Sequence, residues 1–291
     1  MELGRVITAM ATPFNKDGSL DTEGAGRLAR HLVDHGSDGL VVAGTTGEAP
    51  TLTHEEKRDL WSAVAEAIKG KAPLIAGTGT YSTAESIELT ETAADAGADA
   101  VLVVTPYYSK PPQSGLTAHF KAVAAATSLP IVLYDIPART ARKIEHATLL
   151  ELSEVPNIVG VKDAAADLAG TAKLAAEAPA FKIWSGDDAL TLPMLAVGAV
   201  GVVSVASHLV GHRLGEMIAA HDKGDVEGAA QINRELVPIF EALFITSNPI
   251  PLKAALEMVG LPAGPVRLPL VDATKEERDR VSSALAGLGL I

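Results

Sequence analysis

Residues 158–162 read Ile158-Val159-Gly160-Val161-Lys162, an apolar, β-branched run that stops abruptly at a charged side chain. Apolarity that is continuous rather than alternating is typical of strands buried on both faces, as the strands of parallel sheets are. Further runs of this kind recur along the chain. The eight strands predicted in this way are Val6–Met10, Gly39–Ala43, Pro73–Ala76, Ala100–Val104, Ile131–Tyr134, Ile158–Lys162, Phe181–Trp184 and Val200–Val205.

Segments rich in Ala, Leu and Glu, with apolar residues at helical spacing, separate these runs. Thr53 stands three residues before Glu56, and Ser82 three residues before Glu85, which is the pattern of a capping box at a helix start. A strand and a helix repeated eight times predict an α/β fold, the (β/α)8 TIM barrel. An open, doubly wound parallel sheet is the alternative. The predicted helices include Thr53–Lys69, Ala84–Ala96 and Leu116–Ala126.

The alternation of strands and helices stops after about residue 224. We therefore predict a (β/α)8 catalytic barrel over residues 1–224 and a C-terminal helical extension over residues 225–291. No low-complexity linker separates the two parts, so the extension is expected to pack on the barrel. Its predicted helices are Val226–Thr246, Pro251–Val259 and Lys275–Leu285.

The composition excludes several classes of function. With 24 basic and 36 acidic residues, the formal charge of −12 argues against nucleic-acid or anionic-membrane partners, which require a basic face. The chain has no cysteine, which rules out disulfides, thiolate nucleophiles and cysteine-ligated metals. No apolar stretch approaches the ~20 residues that span a bilayer, and the N-terminus reads as a strand rather than a signal peptide. We therefore predict a cytoplasmic protein.

Polar side chains follow five of the predicted strands at the point where each strand ends. In a TIM barrel these ends share one rim, where the chemistry lies. Five such groups on one rim are much stronger evidence for an active site than one. The groups are Gly44-Thr45-Thr46-Gly47-Glu48, Thr105-Pro106-Tyr107-Tyr108, Tyr134 with Asp135-Ile136-Pro137-Ala138-Arg139-Thr140, Lys162-Asp163, and Ser185-Gly186-Asp187-Asp188.

Lys162 is the most informative of these residues. An amine at the end of a buried apolar strand loses hydration, and desolvation favours its neutral, nucleophilic form. A neutral amine is what imine formation with a ketone requires. The alternative is a lysine that simply reaches solvent at a strand end.

Two segments suit the binding of carboxylates. Glycines in Gly44–Gly47 let backbone N–H groups converge on an anion, and the hydroxyls of Thr45 and Thr46 add donors. A plain strand-to-helix turn is the alternative. Arg139 follows a strand in a loop stiffened by Pro137 and offers a two-pronged donor for a carboxylate, although a surface salt bridge is the ordinary role of a lone arginine.

Exposed aromatic residues are expected on the fourth rim loop. Tyr107 and Tyr108 precede Pro111 and Pro112, which suggests a lid or a contact between subunits. Simple packing is the alternative.

We predict no metal site. The pairs His31/His35 and His208/His212 have i,i+4 spacing but lack the glutamate of a zinc protease motif, so surface histidines are expected. Asp187 and Asp188 precede a helix and are interpreted as acids that stabilise its N-terminus.

Several motifs in fixed order resemble the pyruvate-dependent class I aldolase superfamily, and within it the dihydrodipicolinate synthases. The resemblance extends from Thr12-Pro13-Phe14 to Asn248-Pro249-Ile250-Pro251-Leu252-Lys253. The motifs that carry it are Gly44-Thr45-Thr46-Gly47-Glu48, Val104-Thr105-Pro106-Tyr107-Tyr108, Tyr134-Asp135-Ile136-Pro137-Ala138-Arg139-Thr140, Gly160-Val161-Lys162-Asp163 and Ser185-Gly186-Asp187-Asp188-Ala189.

The resemblance implies a Schiff-base enzyme of lysine and diaminopimelate biosynthesis that joins pyruvate to L-aspartate 4-semialdehyde without a cofactor. It implies a homotetramer built from dimers, in which a tyrosine reaches the site of a neighbouring subunit. The catalytic residues would be Lys162 as nucleophile, Tyr134 as general acid/base, and Thr45 and Tyr108 as a proton relay. The substrate-binding residues would be Thr46, Arg139, Gly186 and Val203.

Some positions depart from the commonest family pattern. Asp135 and Ala138 stand where many members carry Asn and Ser, with mild effects expected. His54, Glu85 and Tyr107 match residues that bind inhibitory lysine in sensitive members. However, Ala49, Lys57 and Tyr81 replace a serine, a histidine and an asparagine there. Because an added cation disfavours a cationic ligand, we predict weak or absent inhibition by lysine.

Two other functions remain open at this point. The first is a lyase that cleaves a sugar acid such as N-acetylneuraminate or 2-keto-3-deoxygluconate to pyruvate. Arg139 argues against it, because in such enzymes this position tends to be non-basic and a serine tends to replace Thr45. The second is a barrel that binds pyruvate without turnover, since a fold does not guarantee a function.

Overall fold

Eight parallel strands close into a single barrel in the computed structural model, which describes residues 2–291. Consecutive strands pair in sequence order, and the last pairs with the first, with Val203 opposite Ile7. The TIM-barrel prediction is confirmed, and the ends of every predicted strand lie within one residue of those observed. The strands are β1 Val6–Ala9, β2 Gly39–Val42, β3 Leu74–Gly77, β4 Ala100–Val104, β5 Ile131–Asp135, β6 Ile158–Asp163, β7 Lys182–Ser185 and β8 Gly201–Ser204.

Helices surround the barrel, and three more follow it. Of these, α10 packs against α9, and α12 packs against both α10 and α11. Within residues 2–291, no helix has the combined length and apolarity needed to cross a membrane. The helices are α1 Thr22–Asp34, α2 His54–Ile68, α3 Thr83–Asp95, α4 Gln113–Ala125, α5 Pro137–Thr140, α6 His146–Ser153, α7 Leu168–Glu177, α8 Thr191–Ala196, α9 Ser207–Asp222, α10 Val226–Ala242, α11 Ile250–Met258 and α12 Lys275–Gly287.

Each strand is buried on both faces, which explains the continuous apolar runs. One cluster, including Ile75 and Trp184, fills the barrel interior, and a larger one lies between the strands and the helices. Gly160 interrupts the run in β6 for a steric reason. A Cβ atom there would lie 2.2 Å from the carbonyl oxygen of Lys182 on β7. Glycine therefore allows these two strands to pair.

The two predicted capping boxes have different outcomes. At α2 the box is complete, because the Thr53 hydroxyl accepts from the N–H of Glu56, whose carboxylate accepts from the N–H of Thr53. At α3 only half of the prediction is correct. Ser82 caps the N–H of Glu85, but the Glu85 carboxylate lies 3.1 Å from Nε2 of His54 on α2. A contact with another helix thus replaces the local one.

The prediction of surface histidines is wrong for His208. This side chain is buried at the start of α9, where Nε2 accepts from the N–H of Ala11 and Nδ1 donates to the carbonyl of Val205. Burial lowers the pKa of His208 to about 4, so the ring is neutral near pH 7. His212 is exposed, as predicted. The helix is kinked at Val210, between the two histidines.

The interpretation of Asp188 as an acid at the start of α8 is also wrong. Its buried carboxylate instead accepts from the backbone N–H groups of Val205 and Ala206, each at 3.0 Å, and from the hydroxyl of Ser204. Burial raises the pKa of Asp188. The carboxylate therefore ties the end of β7 to the turn between β8 and α9.

Candidate active site

A cavity of about 550 Å³ opens at the C-terminal ends of the strands. This is the end at which TIM barrels carry their active sites. Residues that follow β2, β3, β4 and β5 form its wall, together with a segment after α10. Those that bear on the chemistry are Thr45, Tyr107, Tyr134, Arg139 and Asn248.

Lys162 and Tyr134 form the buried centre of the site. They are direct partners on the paired strands β6 and β5, and both end apolar runs. The Lys162 amine lies 4.1 Å from the centroid of the Tyr134 ring, and the lysine is only 5% exposed. Because strand pairing fixes both backbones, the amine and the phenol-bearing ring are held together before any ligand binds.

The turn after β2 supplies hydroxyl donors. Thr45 is partly buried and lines the cavity, whereas Thr46 is buried beside it. The Thr46 hydroxyl accepts a hydrogen bond from Nδ2 of Asn248 at 2.9 Å. The turn ends at Glu48, whose backbone is left-handed with φ of 54°.

Arg139 lies on a one-turn helix rather than in the open loop that the sequence suggested. Pro137 occupies the first position of α5, where a missing N–H costs nothing and the fixed φ suits a helix. Arg139 is exposed and lines the cavity. None of the ion pairs found within residues 2–291 involves it. Its guanidinium is therefore available to an anion.

Gly186 directly follows β7 and Val203 lies within β8, and neither is among the residues that line the cavity. The Gly186 N–H donates to the carbonyl of Asp163 at 2.7 Å, and a Cβ on Gly186 would lie 2.7 Å from the Cβ of Ala164. Val203 belongs to the interior cluster that also contains Tyr134. Both residues leave only backbone and apolar surface there.

Tyr108 lies apart from the other predicted catalytic residues. Its side chain is 92% exposed, its φ is 70°, and it does not line the cavity. Within one chain, the structure does not bring Tyr108 to Tyr134 and Thr45.

The predicted effector residues His54, Glu85 and Tyr107 line the same cavity as Tyr134. Lys57 lies among them and is buried, and burial lowers its pKa. The ring of Tyr81 packs edge-on against Tyr107, with centroids 5.5 Å apart. His54 and Lys57 lie on the first turn of α2, and Glu85 lies on the first turn of α3.

Two residues near the site, Lys253 and Asn248, have no role among those predicted from the sequence. Lys253 on α11 lies 2.6 Å from the Glu48 carboxylate, and both side chains are almost fully buried. Asn248 contacts Thr46, as described above. A lone lysine within the apolar stretch 249–256 was the available signal, because a buried charge requires a partner.

No group of three or more His, Asp or Glu side chains in residues 2–291 is arranged to hold a metal ion.

Comparisons with known proteins agree with this geometry. The chain is 57% identical to the 4-hydroxy-tetrahydrodipicolinate synthase of Moorella thermoacetica, over the full length of both. A dihydrodipicolinate synthase from Cyanidioschyzon merolae, solved with lysine bound, superposes with a TM-score of 0.98 at 46% identity, covering 99% of each chain. A chloride-inhibited dihydrodipicolinate synthase from Acinetobacter baumannii, solved with pyruvate, gives 0.96 at 38% identity over all of both chains. The model of the dihydrodipicolinate synthetase family matches residues 2–288, and the chain therefore belongs to that family.

Proposed function

We propose that this protein is a 4-hydroxy-tetrahydrodipicolinate synthase, which condenses pyruvate with L-aspartate 4-semialdehyde. The observation that carries the proposal is the buried contact between Lys162 and Tyr134, the latter of which lines the cavity. An amine that is held against a phenol, away from bulk water, suits Schiff-base chemistry. The names of full-length relatives at more than 50% identity support the same reaction.

The first stage forms an enamine on Lys162. The neutral amine attacks the ketone carbon of pyruvate, and the carbinolamine loses water to give a protonated imine. Tyr134, whose ring centroid lies 4.1 Å from the amine, exchanges the protons that this step requires. Loss of a proton from the methyl carbon then gives the enamine. The hydroxyls of Thr45 and Thr46 hold the carboxylate of pyruvate throughout.

The second stage joins the two substrates. The enamine carbon attacks the aldehyde carbon of the semialdehyde, forming a carbon–carbon bond, and the aldehyde oxygen takes a proton. The amino group of the semialdehyde then attacks the imine carbon, closes the ring and displaces the Lys162 amine. Arg139 binds the carboxylate of the semialdehyde, for which its unpaired guanidinium is suited. Gly186 and Val203 would contribute backbone and apolar surface near the Schiff base.

Completion of the proton relay requires a second subunit. The Thr45 hydroxyl passes protons from Tyr134 to Tyr108, which is contributed by a neighbouring copy. The exposure of Tyr108 and its left-handed backbone support a role outside its own chain. The assembly is a homotetramer built from such dimers, acting in the cytoplasm, and sedimentation of the purified protein tests the oligomeric state.

Trapping by borohydride tests the nucleophile. Reduction in the presence of pyruvate should leave a carboxyethyl adduct on Lys162 alone, mapped by peptide mass spectrometry. Lys57 and Lys253 serve as matched controls, because they are equally buried yet are not given this role. An adduct on either of them, or none on Lys162, would refute the mechanism.

The aldehyde partner is tested separately. Purified enzyme with pyruvate should consume L-aspartate 4-semialdehyde and should not release pyruvate from N-acetylneuraminate or 2-keto-3-deoxygluconate. If pyruvate is trapped on Lys162 and a sugar acid is cleaved, the Schiff-base mechanism is correct but the proposed aldehyde substrate is wrong. Trapping without any turnover would indicate a barrel that only binds pyruvate.

A further inference from the structure

The segment after α10 returns to the turn that carries Thr45 and Thr46. Asn248 lies in this segment, within residues 225–291, which we treat as a C-terminal extension. Its side chain is 6% exposed and lines the cavity. Nδ2 donates to the Thr46 hydroxyl at 2.9 Å, across 202 positions of sequence.

The direction of this hydrogen bond determines what Thr46 can do. A hydroxyl carries one proton and can also accept. Because the Thr46 oxygen accepts from Asn248, its single proton stays available to a ligand. The structure gives the Thr46 side chain no other hydrogen-bond partner within residues 2–291. With the Asn248 amide turned over, its oxygen would instead take the Thr46 proton, and the donor would be lost.

A second contact fixes the same segment. Lys253, on the first turns of α11, lies 2.6 Å from the carboxylate of Glu48, two residues after Thr46. It also donates to the carbonyl of Pro265 at 2.8 Å. A buried ion pair of this kind has one well-defined arrangement, since an unpaired buried charge is costly. The extension is therefore anchored to the turn at a second point, beyond the Asn248 contact.

We propose that Asn248 is a positioning residue for the carboxylate of pyruvate. By donating to Thr46, it directs the Thr46 proton toward the bound carboxylate. This proposal rests on the proposed function, because it requires pyruvate to occupy the cavity. The buried oxygen of Asn248 has no donor in the described chain, which leaves the amide free to serve Thr46 alone.

A double-mutant cycle tests the proposal. Asn248→Ala should raise the KM for pyruvate about three- to tenfold, the range expected for one hydrogen bond, while kcat at saturating pyruvate changes less than about twofold. Thr46→Val should raise KM at least as much. Adding Asn248→Ala to Thr46→Val should then have little further effect, because the shared interaction is already absent.

Companion variants guard against a purely structural explanation. Asn248→Asp is isosteric but can only accept, so it should raise KM at least as much as Asn248→Ala. Asn233→Ala removes another asparagine with an unpartnered oxygen, on α10 and outside the cavity wall, and should leave KM unchanged. Thr46→Ser retains the hydroxyl, so Asn248→Ala should still raise the KM for pyruvate in the Thr46→Ser background. Thermal melting confirms that each variant is folded.

The outcomes separate this proposal from the proposed function. The proposal is overturned if the parent traps pyruvate on Lys162 but Asn248→Ala raises the KM for pyruvate by the same factor in the parent and in the Thr46→Val variant. Asn248 would then act independently of Thr46. An unchanged KM in Asn248→Ala overturns it too. Absence of trapping in the parent overturns the proposed function and this inference together.

Discussion

Asp135 provides a sharp test of how burial controls charge beside the site. It follows Tyr134 at the end of β5, is 2% exposed, and lies opposite Asp163 on β6. Its Oδ1 accepts from the N–H of Ile144 at 3.1 Å. Burial raises the pKa of Asp135 from 3.8 to about 7. The hydrogen bond from Ile144 opposes that shift, and the charge of Asp163 adds to it.

The sign of the effect on stability follows from these two values. Below about pH 4 the carboxyl is neutral in the folded and unfolded chains, and burial carries no ionisation penalty. Between about pH 4 and 7 the unfolded chain releases the proton while the folded chain keeps it. Across this range each pH unit lowers the unfolding free energy by about 1.4 kcal/mol. The total loss is at most about 4 kcal/mol, and because the surroundings of Asp135 relax around the charge, we expect a loss of about 2–4 kcal/mol.

Replacing Asp135 by an amide removes this penalty. The amide oxygen in Asp135→Asn still accepts from Ile144, and the side chain cannot ionise. We expect the unfolding free energy of the variant to exceed that of the parent by about 1 kcal/mol near pH 4.5 and by about 2–4 kcal/mol at pH 8. Urea unfolding at one fixed subunit concentration, from pH 4.5 to 8.5, measures this difference.

A matched substitution isolates the cause. Asp95→Asn, at an exposed position on α3, should change the unfolding free energy by less than about 0.5 kcal/mol across the same range. A constant difference between Asp135→Asn and the parent at every pH would refute the reasoning, because Asp135 would then be ionised in both states.

Three further outcomes follow from other contacts. Lys253→Met leaves the buried Glu48 carboxylate without its cation, with the N–H of Arg267 as its remaining donor, and should cost about 3–5 kcal/mol in urea unfolding. Adding Glu48→Gln should restore most of that loss, and no recovery would contradict the pairing. L-Lysine should inhibit weakly or not at all, because Lys57 adds a buried cation among the effector residues; a sub-millimolar inhibition constant in a steady-state assay would contradict this. Thr53→Ala removes the complete capping box of α2 and should lower the unfolding free energy by about 1 kcal/mol, whereas an unchanged urea midpoint would indicate a cap that contributes nothing.

The barrel could be predicted from the sequence because its signal is local. A strand buried on both faces needs an apolar side chain at nearly every position, so β6 is evident from residues 158–162 alone. Repetition then predicts the closed sheet. Gly160 was no obstacle to the assignment, although its steric reason lies in Lys182 on the neighbouring strand.

The errors share a different physical origin. The sequence pairs Asp188 with the helix that follows it, but its carboxylate accepts from the N–H groups of the two residues that directly follow β8. Glu85 was assigned to its own helix start, but His54 of the preceding helix competes for its carboxylate. The sequence places His208 at the surface, but the N–H of Ala11, which follows β1, donates to its ring. In each case a partner distant in sequence prevails over the nearest one.

The difference between local signals and partners distant in sequence also applies to the site. The sequence predicts which residues meet there, but not how their hydrogen bonds are oriented. Parallel pairing brings Tyr134 and Lys162 together whatever the intervening helices do, so the groups gathered at the rim follow from the order of the strands. The direction of a hydroxyl proton does not follow from that order. It depends on Asn248, which lies 202 positions from Thr46, and on a buried lysine that holds the extension in place. The C-terminal extension should therefore govern how tightly pyruvate binds, while the barrel governs whether the imine can form.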